Sequence, residues 1–123
     1  MAALVIDPNA TALTVKLRLE VVPTDPPGKV NDCKLSYSLE DKDGKVVAEG
    51  SSHKTELGPV KLPPPPSAHK GDTLTTRFTC EGRPGTEVRF VVEVAGVTGA
   101  VEPFSRKIPD TWLLSWNVDH DLS

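Results

Sequence analysis

Between Thr11 and Val22 the side chains alternate, with Leu13, Val15, Leu17, Leu19 and Val21 on one phase and Thr14, Lys16, Arg18 and Glu20 on the other. A period of two places successive side chains on opposite faces of an extended backbone, so the segment reads as a strand with one apolar and one solvated face. The pattern recurs. Cys33, Leu35, Tyr37 and Leu39 alternate with Lys34, Ser36 and Ser38, and Leu74, Thr76, Phe78 and Cys80 alternate with Thr75, Arg77 and Thr79. Val88, Phe90, Val92 and Val94 stand against Glu87, Arg89 and Glu93, with Val91 as an apolar exception on the outer phase. Trp112, Leu114, Trp116 and Val118 form a last alternating face. No window of helical length carries the 3.6-residue period of an amphipathic helix.

Turn signals separate these runs. Glu40, Asp41, Lys42, Asp43 and Gly44 lie between the second run and Val46, Val47 and Ala48, which predicts a β-hairpin. Glu81 to Gly85 supplies another turn, Gly96 and Gly99 a third, and Pro103 marks the segment Val101 to Ile108 as an edge strand or a broken one. About seven to eight short strands spaced in this way predict an all-β chain folded as an antiparallel β-sandwich.

Leu62 is followed by Pro63, Pro64, Pro65 and Pro66 near the middle of the 123 residues. Dividing the chain there would leave halves of about 60 residues, each burying only ~60% of its unfolded surface, so one domain over 1–123 is expected, with flexible ends near 1–10 and 119–123. Sheets in a sandwich lie ~10 Å apart and four residues of polyproline II extend ~12 Å, so the row suits a stiff crossing from one sheet to the other. The same residues resemble the proline-rich ligands of adaptor domains, which makes Leu62 and Pro63 to Pro66 candidate partner-binding residues.

Acidic and basic residues, 17 and 14 of them, are interspersed and give a net charge of -3, without the basic stripe of a nucleic-acid binder. The apolar run Ala2 to Ile6 is too short for a membrane span and lacks the basic start of a secretory signal, so the expectation is a cytoplasmic chain without a membrane partner.

Cys33 and Cys80 both fall on the apolar phase of their runs. On these residues, and on the approach Asp72 to Cys80, the chain resembles the immunoglobulin-like superfamily and the related fibronectin-like sandwiches. The resemblance implies two inward cysteines on facing strands that bracket the core. Two departures stand out: Lys45 to Glu49 occupy the region where a tryptophan is expected, and Phe78 stands where a tyrosine is expected two residues before the second cysteine. The cytoplasmic expectation favours buried, reduced thiols.

No enzyme is expected. His53 and His69 lie in loop-like sequence, His120 lies near the C-terminus between Asp119 and Asp121, and all three read as solvated residues. No serine or cysteine sits in a nucleophile turn. Adjacent Asp119, His120 and Asp121 point in alternating directions and cannot enclose an ion, so no metal and no cofactor are expected. Protein-protein association is the leading expectation, self-association into a homo-oligomer included, through Trp112, Leu113, Trp116 and the proline row. Carbohydrate recognition is the alternative, because Trp112 and Trp116 share a strand face ~13 Å apart and could lie under successive rings of a glycan. The core otherwise has only three Phe and one Tyr, which favours at least one indole being mostly buried.

Overall fold

A computed structural model describes residues 2–123, with Met1 outside the described residues. The strands are β1 (Ala2–Ile6), β2 (Thr14–Val21), β3 (Val30–Glu40), β4 (Val46–Ser52), β5 (Glu56–Lys61), β6 (Thr73–Gly82), β7 (Glu87–Ala95), β8 (Val97–Thr98), β9 (Phe104–Lys107) and β10 (Leu113–Leu122), with one 3₁₀ turn at Pro66–His69. They form two sheets, a larger one ordered β4-β3-β6-β10-β1-β8 and a smaller one ordered β5-β2-β7-β9. The chain is a β-sandwich.

The alternating phases become the two faces of each sheet. Leu13, just before β2, and Val15, Leu17 and Leu19 from the smaller sheet meet Leu35, Leu39, Leu74 and Phe78 from the larger one in a single core. Phe78 on β6 and Phe90 on β7 meet across the interior with centroids 4.7 Å apart and ring planes tilted by 46°, and Phe104 closes on Phe90 edge-to-face at 5.5 Å. The hairpin expected around Gly44 joins β3 to β4, with the Asp41 carboxylate accepting the amides of Asp43 and Lys45 at 2.9 Å each.

Four features depart from the sequence expectation. Ten strands occur among the described residues instead of seven to eight, because β1, β5 and β8 are short or carry Gly58 and Pro59, which hide their alternation. The sheets are not wholly antiparallel, since β1 runs parallel to β10, with Ala2 opposite His120 and Leu4 opposite Leu122. The ends expected to be flexible near 1–10 and 119–123 therefore contain paired strand, and Leu4, Ile6, His120 and Leu122 are buried. Cys33 and Cys80, expected on facing strands across the core, are instead direct neighbours on β3 and β6 of one sheet, and both thiols are free.

The proline row leads from β5 in the smaller sheet to β6 in the larger one. It is tied down by a residue that reads as solvated in the sequence. His69 is buried, with Nδ1 2.9 Å from Asp72 Oδ2 and Nε2 2.6 Å from the carbonyl of Pro63. The ring thus pins the start of the row to the turn that enters β6.

Candidate functional site

The outer faces of β4, β3, β6 and β10 carry the residues that the alternation assigns to solvent. Register then sorts them into rows that cross the sheet. Ser51, Ser36, Arg77 and Asn117 lie opposite one another across the four strands, and Glu49, Ser38, Thr75 and Asp119 form the adjoining row. Strands in a sheet repeat every ~4.8 Å, so each row extends about 14 Å. Short serine side chains lie between longer ones, which leaves a groove of about 720 Å³ floored by these rows and rimmed by Lys34 and Glu40.

The groove is polar and partly pre-ordered. Thr75 donates its hydroxyl hydrogen to Asp119 Oδ1 at 2.7 Å, linking β6 to β10 above the backbone ladder. Arg77 stands in the middle of its row, exposed and without an ion-pair partner among the described residues. Two cations, Lys34 and Arg77, and three carboxylates, Glu40, Glu49 and Asp119, line the space. Opposite signs side by side give no single-sign field that would gather a polyanion.

The residues singled out in the sequence are not brought together. Leu62 is buried at 2% exposure, so it cannot lead a docking peptide; Pro63, Pro64 and Pro65 are exposed and Pro66 is half-buried. The row leads through the 3₁₀ turn to the start of β6 at Thr73, whereas Leu113 pairs with Glu81 at the other end of that strand, about 25 Å away along it. Trp112 and Trp116 are 50% and 36% exposed, contrary to the expectation that at least one would be mostly buried. Trp116 does face inward, opposite Phe78, but it lies where the smaller sheet ends at its edge strand β9. Phe104 packs against it at 5.8 Å between centroids and the Arg106 guanidinium covers one face of the indole at 4.1 Å, so a ring stacking on that face would have to displace it.

Trp112 is exposed for a different reason. It has φ 69°, the left-handed region, at the end of a turn in which its amide donates to the Pro109 carbonyl at 3.0 Å and its carbonyl accepts from the Gly82 amide at 3.0 Å. That backbone, usually given to glycine, costs a large residue about 1–2 kcal/mol and swings the indole out from the sheet. Val91, apolar on the outer phase, is buried at 9%, where it lines a cleft of about 220 Å³ with Leu4, Val97 and Val101.

His53 is exposed, while His120, expected in solvent, is buried at 2% with no partner for Nδ1 among the described residues. Burial pushes the His120 ring below the ordinary histidine range. What sequence reasoning missed was the groove: its residues are visible as a wet face, but the order β4-β3-β6-β10 that makes rows of them is not.

No family model matches the chain, and no curated protein does. Among solved structures it is similar to a domain of unknown function, DUF4425, from Bacteroides vulgatus, with a TM-score of 0.44 and 8% identity over 90% of this chain and 95% of that one.

Proposed function

We propose that the chain is a non-enzymatic binding module for a neutral, hydroxyl-rich ligand, a linear oligosaccharide, held in the groove on the outer face of the larger sheet. The observation that carries the reading is the pair of cross-strand rows centred on Ser36, Arg77 and Asn117 and on Ser38, Thr75 and Asp119. They present donors and acceptors together at the ~4.8 Å strand repeat, which is comparable to the length of one sugar ring. Serine and threonine lose little rotamer entropy when they are fixed, so a ligand that makes many small contacts is favoured. The mixed charge suits an uncharged partner. This carbohydrate reading differs from one built on Trp112 and Trp116, because Arg106 already occupies one face of Trp116. A glycan array screened with the native protein and with Arg77→Ala tests it. Binding to neutral linear glycans that weakens about tenfold in the variant is expected, on the ~1.4 kcal/mol scale of one charge-assisted hydrogen bond; an array without neutral ligands would refute it.

Protein association, including self-association, is supported by a separate observation, the exposed pair Trp112 and Leu113 at 50% and 53%. Strained backbone that holds a large aromatic in water suits a contact residue. Trp112→Gly relieves the backbone, so the variant should keep or gain stability while losing any dimer seen by light scattering. A monomer before and after the change would remove this second reading. An immunoglobulin-like or fibronectin-like class is proposed only at the level of two sheets between which successive strands cross, such as β2, β3, β5 and β6.

A further inference from the structure

Cys33 and Cys80 sit directly opposite each other on the antiparallel pair β3 and β6 of the larger sheet. The Cys33 amide donates to its neighbour Asp32 Oδ1 at 2.9 Å, and on β6 the Gly82 amide, in phase with Cys80, donates to the Trp112 carbonyl on the β10 side at 3.0 Å. That marks the two cysteines as a non-hydrogen-bonded pair, the kind whose Cα atoms approach to about 4.5 Å. Disulfides span Cα separations of about 4.4 to 6.8 Å, so the ladder already holds the two thiols within bonding reach. A cleft of about 90 Å³, walled by Asp32, His53, Glu81 and Leu113, opens over both.

We propose that Cys33 and Cys80 form a redox-sensitive dithiol that a low-molecular-weight disulfide converts to a cross-strand disulfide within the folded sheet. Cys33 is the entry thiol. It is the more exposed, 7% against 1%, and its Sγ donates to the carbonyls of His53 and Lys54, 3.6 and 3.5 Å away in the connection between β4 and β5. Its thiolate attacks one sulfur of the reagent, a mixed disulfide forms, and one thiol leaves. The Cys80 thiolate then attacks Sγ of Cys33 and expels the second thiol, so two electrons and two protons pass from the protein to the reagent. Burial raises both thiols above the ordinary range, Cys80 to about 11, so the exchange is slow at neutral pH and speeds up as pH rises. The bond formed joins strands of one sheet, unlike a bridge between sheets. It would fix the ladder one residue from Lys34 and Thr79, beside the groove.

Folded protein incubated with oxidised glutathione tests the proposal. The expected product has lost two hydrogens by intact mass, yields one peptide joined through Cys33 and Cys80 after digestion, and unfolds at a temperature higher by on the order of 10 °C. Cys80→Ala, which keeps the site apolar, should stop at a glutathione adduct on Cys33. Adducts without the joined peptide in the native chain, or thiols that react only after unfolding in urea, would overturn the proposal.

Discussion

Replacing His69 by alanine tests whether the ring holds the proline crossing in place. Its two nitrogens face the Asp72 carboxylate and the Pro63 carbonyl, and His69 and Asp72 are each 5% exposed. Removing the ring strands two acceptors, at about 1–3 kcal/mol each, and opens a void that the exposed prolines are too stiff to fill, so a loss of about 3–5 kcal/mol is expected. A chain of 123 residues has a stability of the order of 6–18 kcal/mol, so the variant folds but is clearly weakened. Urea unfolding followed by circular dichroism should show a lower midpoint with an unchanged slope. In a cycle with Asp72→Ala, the double change should cost less than the sum of the single ones by about 1–3 kcal/mol. A loss under 0.5 kcal/mol for His69→Ala, typical of a solvated loop residue, would show that the ring does not hold the crossing.

Gly82→Ala should destabilise by about 2 kcal/mol or more in the same assay, because a Cβ there meets the Lys29 carbonyl and Ile108 Cδ1, backbone and core atoms that cannot both yield. His120 stays neutral in the folded chain to a lower pH than in the unfolded one, whose histidines take up protons near 6.5. The unfolded state therefore binds the proton first, and stability, fully present above about 6.5, falls as the pH drops below it; unfolding midpoints measured against pH should decline less steeply in His120→Leu. Iodide should quench Trp112 more strongly than Trp116, since Arg106 and Phe104 shield only the latter; equal and weak quenching of both would contradict their exposures.

The parts of the fold legible in the sequence are those where one face is wet and the other dry. β2, β3, β6 and β7 announce themselves by alternation, and the Asp41–Gly44 turn by its chemistry. β5 does not, because Gly58 and Pro59 interrupt the run Glu56 to Lys61. His69 and His120 read as solvated in the sequence for a common reason: burial of a polar ring depends on partners, Asp72 or a covering strand β1, that only tertiary structure supplies. Trp116 shows the limit of phase as a guide, since it lies on the inner phase yet remains 36% exposed where the smaller sheet runs out. The groove depends on strand order. Ser36 is distant in sequence from Arg77 and Asn117, and nothing in the periodicity says that β3, β6 and β10 are neighbours.

The central claim, a neutral glycan on the outer face of the larger sheet, is tested most directly by following backbone amide chemical shifts while a neutral linear tetrasaccharide is added to millimolar concentration. Saturating shifts concentrated at Ser36, Ser38, Thr75, Arg77 and Asn117 across β3, β6 and β10 are expected, together with their loss in Arg77→Ala. Shifts confined to Trp112 and Trp116, or no saturation anywhere on the sheet, would contradict it.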